Sequence, residues 1–127
     1  MLGVHKLYQI TSTNIKYGLE RTEALLKVCN NPHKKLNLIQ IVGTNGKGST
    51  VAMLSNVLIK NHYNTGLFTS PHLVKLNERI QINYSPITDS FINQFIKTYK
   101  RDIKKIQPSF FEVMTVLALS YFVKKNV

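Results

Sequence analysis

Ten consecutive residues constrain this chain more than any other stretch: Ile41-Val42-Gly43-Thr44-Asn45-Gly46-Lys47-Gly48-Ser49-Thr50. A mainly apolar run, Leu36 to Val42, leads into three glycines that bracket one lysine, and a helix pattern begins at once. That order reads as a strand, a loop and a helix N-terminus. Glycine lacks a Cβ, so it takes positive φ and lets backbone N–H groups close on an anion. The start of a helix adds unpaired N–H groups and a partial positive charge. Lys47 brings a full charge suited to β and γ phosphates, and Ser49 or Thr50 brings a hydroxyl suited to Mg²⁺.

The loop is a variant of the general phosphate-loop pattern G-x-x-x-x-G-K-[ST]. That pattern puts glycine where Ile41 stands and Ser or Thr where Gly48 stands, so one extra residue separates the lysine from the first hydroxyl. The competing reading is a glycine-rich strand-to-helix turn that holds no ligand. Against it, a lysine inside three glycines has little structural reason to be there.

Around this loop the pattern is α/β. Leu19, Leu25, Leu26 and Cys29 fall at helical spacing over 17–30, and Asn30-Asn31-Pro32 ends that helix. Residues 37–42 read as the strand before the loop. Residues 48–61 read as the helix after it, with Val51, Met53, Leu54, Val57 and Leu58 giving a wide apolar surface. Tyr63 to Thr69 reads as a second strand. Strand, helix, strand implies a parallel sheet with a right-handed crossover. Residues 78–83 alternate like a short strand or hairpin arm.

Thr88 or Asp89 caps an expected helix over 89–106. Its inward face is Ile92, Phe95, Tyr99, Ile103 and Ile106; Lys97, Lys100, Arg101, Lys104 and Lys105 form a solvated outer face. Gln107-Pro108 separates it from a last helix over 110–124. That helix is apolar nearly all round, and is expected to need more covering protein than the chain supplies. Residues 1–16 are weakly patterned.

Composition excludes several classes. At 127 residues and 43% apolar content the chain is long enough for one cored domain and too apolar for general disorder. No apolar run approaches the roughly 20 residues of a membrane helix, and the N-terminus lacks a signal-peptide core. The one cysteine, Cys29, reads as a buried small hydrophobe, and a reducing, cytoplasmic setting fits. The net charge is +11, yet the lysines are scattered and no aromatic motif interleaves them. A polyanionic small ligand explains the charge as well as nucleic acid does, and neither nucleic acid nor membrane is expected as the main partner.

Several segments then fall into one order: Gly43 to Thr50, then Thr69-Ser70-Pro71-His72-Leu73, then Asn77-Glu78-Arg79-Ile80, then Phe110-Phe111-Glu112, with Asn31-Pro32-His33-Lys34-Lys35 ahead of them. From about Tyr17 onward this resembles the N-terminal part of the folylpolyglutamate synthase/dihydrofolate synthase family, within the Mur ligase superfamily. The glycine loop points to the superfamily; the Thr-Ser-Pro-His and Asn-Glu-Arg-Ile segments point to the folate branch.

The resemblance implies an ATP-dependent ligase that adds L-glutamate to dihydropteroate or a reduced folate through an acyl phosphate, with ATP and Mg²⁺. Gly43, Thr44, Asn45, Gly46, Lys47, Gly48, Ser49 and Thr50 would contact ATP, and Lys47 would also act in the transfer. Ser49 and Ser70 would reach Mg²⁺; plain turn chemistry before Pro71 is the other reading of Ser70. Residues 69–79 match a mobile loop beside the pterin site. There Pro71, His72 and Arg79 are candidates; His72 is equally a partly buried loop residue, and Arg79 equally a partner of Glu78. Ser109, Phe110, Phe111 and Glu112 resemble a pteroate-contacting segment, and Ser109-x-x-Glu112 is also a capping box.

The resemblance further implies that residues 1–127 are an incomplete N-terminal portion of a Mur-ligase-like ATPase domain. The acidic Mg²⁺ ligand, a second-metal histidine, the adenine contacts and a C-terminal domain are expected beyond Val127. A fragment, a truncated product and one half of a split enzyme with a C-terminal partner chain all fit. The alternative is a nucleotide-binding module without catalysis, or a degenerate fragment. An uncovered sheet edge and greasy last helix are expected to make the chain prone to associate.

Overall fold

The computed structural model describes residues 2–11, 13, 15–71 and 74–127, with side chains from residue 5 onward. In chain order the elements are α1 (Leu2–Ile10), α2 (Glu20–Val28), α3 (Lys47–Lys60), β1 (Gly66–Phe68), β2 (Ile80–Ile82), β3 (Ser85–Pro86), α4 (Asp89–Ile106) and α5 (Phe110–Lys124). Short 3₁₀ turns lie at Pro32–Lys35 and Leu76–Arg79.

The chain is organised about α5. Ser109 opens it: its hydroxyl accepts from the Glu112 N–H, and the Glu112 carboxylate accepts from the Ser109 N–H. This reciprocal box satisfies two N–H groups that a bare helix end would leave unpaired. Val113, Met114, Val116, Leu117, Ala118, Tyr121 and Phe122 are then all buried. At about 1.5–3 kcal/mol for each large side chain, this helix is the main source of hydrophobic stabilisation. α2, α4, the Pro32–Lys35 turn and β1 all pack on it. The last helix is therefore covered by the chain itself, contrary to expectation. Its wide apolar circumference is what a central helix requires.

α4 follows its pattern. The Thr88 hydroxyl caps it by accepting from the Phe91 N–H at 3.3 Å. Ile92, Phe95, Ile96 and Ile103 are buried, Tyr99 and Ile106 partly so, and the five basic residues are exposed. α1, which the sequence pattern does not reveal, packs on α4 and anchors through the fully buried Leu7.

The sheet differs from expectation. Its three strands run in the order β1-β2-β3 and every pairing is antiparallel, with Phe68 opposite Ile80 and Gln81 opposite Pro86. The β2–β3 hairpin turns on Asn83 and Tyr84, both at positive φ (47° and 69°). Such a two-residue turn matches the right-handed twist of the strands.

Among the described residues there is no strand at 37–42 and no parallel pair. A strand forms only against a partner ladder, and none of the described segments pairs with this one. Leu38, Ile39 and Val42 are consequently exposed, Val42 at 83%, and α3 exposes Met53 and Val57. Among the described residues, much of the uncovered apolar surface lies here, whereas α5 leaves Phe111 alone of its large apolar side chains half exposed.

Candidate functional site

The glycine loop hands the chain directly into α3. Gly46 is the residue before the first helical turn and sits at φ 74°, ψ 4°, a left-handed conformation that costs a residue with a side chain about 1 kcal/mol or more. No side chain caps this helix, whereas Thr88 and Ser109 cap α4 and α5. The first amide paired within the helix is that of Thr50, which donates to the Gly46 carbonyl at 3.0 Å. The amides of Lys47, Gly48 and Ser49 precede it, and no acidic residue lies in the first turn to neutralise them. A helix end of this kind attracts anions.

Lys47 reinforces that charge. Its ammonium donates to the carbonyls of Gly43 at 2.5 Å and Thr44 at 3.4 Å, so the cation is folded over the loop that carries it. The Thr50 hydroxyl is turned back onto the Gly46 carbonyl at 2.9 Å. Among the described residues Ser49 has no comparable side-chain bond, which makes it the hydroxyl of the pair that is open to a new ligand. Residues 42–50 are all exposed.

Gly48 is the most telling glycine. A Cβ built there meets no atom of the described residues within 4 Å, and its φ lies outside the left-handed range. Neither sterics nor conformation within the chain calls for glycine at this position, although glycine weakens a helix relative to alanine by up to about 1 kcal/mol. A group that approaches the backbone closely would call for it.

The chain turns at 61–65 after α3, and β1 packs on that helix. Ser70 and Pro71 follow β1 and are exposed. His72 lies outside the described residues. The Thr69 N–H donates to the Arg79 carbonyl at 2.9 Å, which fastens the two ends of segment 69–79 together. Inside it, Asn77 donates to the Ile87 carbonyl at 2.7 Å and to Asp89 Oδ1 at 2.9 Å, while the Glu78 carboxylate accepts from the Val74 and Lys75 N–H groups. Ile80 is fully buried. Residues 77, 78 and 80 thus hold the segment's shape.

The segment 109–112 divides by residue. Glu112 is fully engaged: besides capping Ser109, it pairs with Arg21 Nη2 at 3.1 Å and accepts from the Thr22 hydroxyl at 3.2 Å. Burial alone pushes its carboxyl up, but the Ser109 N–H and hydroxyl, Arg21 and Thr22 outweigh it and hold the carboxyl below its usual range. Phe110 stacks on Tyr8 at 4.2 Å. Phe111 is half exposed and stacks on Phe68 at 5.8 Å. Sequence reasoning missed Phe68, although it directly precedes Thr69-Ser70. The two rings form an aromatic surface at the end of β1.

Among the described residues no three His, Cys, Asp or Glu side chains cluster to hold a metal on their own. Mg²⁺ needs no such cage: it takes hard oxygen donors, keeps its waters, and binds through phosphates plus one or two protein groups. The hydroxyls of Ser49 and Ser70 suit it on those terms.

An α/β chain with a lysine-bearing glycine loop at an uncapped helix start belongs chemically with proteins that bind phosphate groups. Comparison with known proteins narrows this. No family model matches the chain. The dihydrofolate synthase/folylpolyglutamate synthase of Bacillus subtilis is 38% identical over 114 residues, which are 85% of this chain and 26% of that protein. The crystal structure of folylpolyglutamate synthase from Thermotoga maritima superposes with a TM-score of 0.89 at 38% identity, covering 98% of this chain and 30% of the other. A folylpolyglutamate synthase complexed with AMPPCP and folate superposes with a TM-score of 0.85 at 28% identity, covering 99% and 32%. Over nearly its whole length the chain is thus similar in sequence and fold to folylpolyglutamate synthase/dihydrofolate synthase proteins, and it spans about a quarter to a third of the length of these relatives.

Proposed function

We propose that this chain supplies the nucleotide-phosphate end of an ATP-dependent ligase that joins L-glutamate to dihydropteroate or a reduced folate. The observation that carries the reading is the Gly43–Thr50 loop, with its unpaired amides, its lysine and its unforced glycine at 48. The relative complexed with AMPPCP and folate supports both substrate classes.

In this reading the amides of Lys47, Gly48 and Ser49 bind the phosphate tail, and Lys47 leaves the Gly43 and Thr44 carbonyls to steady charge between the β and γ groups. Ser49 and Ser70 would hold Mg²⁺, which when bound neutralises phosphate charge. Pro71, Arg79, Ser109 and the Phe68–Phe111 surface would face the pterin end of the second substrate, with His72 a further candidate from the sequence. Glu112 acts through position, by fixing the start of α5. Phosphoryl transfer to the substrate carboxylate gives an acyl phosphate, whose leaving group the amine of glutamate displaces. The protein's part is positioning and charge neutralisation.

The largely exposed run 38–42 and the exposed Met53 and Val57 of α3 support a further element of the proposal. Residues 37–42 become a strand of a parallel sheet, and residues 1–127 an incomplete N-terminal part of the ATPase domain, once further polypeptide covers them. A cytoplasmic setting belongs to the same reading.

The test is ADP release that depends on glutamate, with dihydropteroate or tetrahydrofolate, measured on the chain alone and on the chain extended by the remaining length of a relative. Turnover by the extended protein that Lys47→Ala abolishes supports the ligase. Nucleotide binding lost in Lys47→Ala, with no turnover in either form, would make the chain a non-catalytic nucleotide-binding module.

A further inference from the structure

A cleft of about 340 Å³ opens between the Pro32–Lys35 turn, α4 and α5. None of its residues belongs to the glycine loop, to segment 69–79 or to residues 109–112. Its volume lies in the range of small-molecule sites. One wall is aromatic, with the Phe95 and Tyr99 rings tilted against each other at 4.9 Å. The floor carries Cys29 and Ser120. The Ser120 hydroxyl oxygen is buried with only the weakly hydrogen-bonding Cys29 thiol beside it and no nitrogen or oxygen partner, so it is open to a better one.

The floor is otherwise neutral. Burial pushes the Cys29 thiol up to about 11, against the smaller opposing pull of the Ser120 and Tyr99 hydroxyls. Asp102 is near enough to raise the thiol further but does not line the cleft. The mouth has one sign of charge. Lys35 and Lys124 are exposed at it, and no Asp or Glu is among the lining residues.

We propose that this cleft is a second binding site, for a small planar aromatic anion whose ring lies against Phe95 and Tyr99 over Ser120 and whose carboxylate faces Lys35 and Lys124. The ring dimensions fit the volume, the aromatic wall offers stacking, and two cations with no competing carboxylate select a negative group.

Cys29 is the chain's single cysteine, so its alkylation rate reports on the floor directly. The experiment measures iodoacetamide labelling of the full chain at about pH 9, where about 1% of the Cys29 thiol is ionised and labelling is slow enough to follow by mass over hours, with 2-naphthoate or 2-naphthamide as the probe. Naphthoate is expected to protect Cys29 in a saturable manner, and naphthamide to do so only at higher concentration. In the Lys35→Gln/Lys124→Gln protein the naphthoate midpoint should rise about 5-fold, two exposed ion pairs' worth, with the naphthamide midpoint unchanged. Thr98→Trp, an exposed α4 position that lines the cleft, should remove protection by filling it from the rim. Circular dichroism establishes that each variant folds. Protection absent in the unaltered protein, equal for both probes, or retained in Thr98→Trp would overturn the proposal.

Discussion

Replacing Gly48 by alanine separates what the fold asks of this position from what a ligand asks of it. The new methyl group meets no atom of the described residues within 4 Å, and the backbone there is helical, so no strain opposes it. In a helix interior the change is worth up to about 1 kcal/mol; at the second helical position roughly half of that, about 0.5 kcal/mol, is reasonable. With an unfolding entropy of about 2.1 cal/mol/K per residue, a protein of this size should melt about 2 °C higher. The same methyl projects beside the amides of Lys47 and Ser49, where a phosphate oxygen must come within hydrogen-bonding distance. Loss of at least about tenfold in nucleotide affinity is expected. The assay is a pair of thermal melts with and without magnesium and AMPPCP. At ten times its dissociation constant a ligand adds about 1.4 kcal/mol to the unaltered protein, a rise of about 5 °C. The expected result is a higher melting temperature without nucleotide and a nucleotide shift reduced to a small fraction. A lower melting temperature without nucleotide, or an undiminished shift, would refute the reasoning.

Three further outcomes follow from the packing and the site. Glu112→Gln should cost about 1–2 kcal/mol, because it weakens the box at Ser109 and removes the ion pair with Arg21; denaturant titration measures this. The folded carboxyl is held below its ordinary value of 4.5, so its stabilisation is present above that pH and is lost as pH falls through the folded value; stability should fall with acidification below about 4.5, less steeply in Glu112→Gln. Gly66→Ala should destabilise by about 1–3 kcal/mol, since its Cβ would lie 2.7 Å from the buried Phe122 ring; an unchanged unfolding midpoint would contradict that packing. Lys47→Ala removes only two exposed hydrogen bonds to its own loop and should leave the melting temperature within about 1 °C while abolishing the nucleotide shift.

The helices were legible where local chemistry and packing agree. Thr88 and Ser109 announce α4 and α5, and the structure starts both helices one residue later. The 78–83 alternation likewise marks β2 and its hairpin. What was not legible depends on neighbours. Residues 37–42 are apolar enough for a strand, but a strand is a property of a ladder, and the described residues contain no partner for it. The apolar circumference of α5 suggested missing cover because periodicity cannot show that α2, α4, β1 and the Pro32–Lys35 turn all converge on it. α1 escaped notice because, among its described side chains, Leu7 is the one fully buried and Ile10 is only partly so. At the site, the glycine loop was plain from residue order alone. The engagement of both Glu112 oxygens, and the pairing of Phe68 with Phe111, exist only across elements distant in sequence.

The most direct measurement is the set of backbone amide chemical shifts of the ¹⁵N-labelled chain on titration with magnesium and AMPPCP. Phosphate binding by the loop predicts saturable shifts concentrated at Gly43 to Thr50, largest for Lys47, Gly48 and Ser49, and absent in Lys47→Ala. Shifts that instead follow the basic face of α4 and vanish with added salt, or no shifts at all, would contradict it.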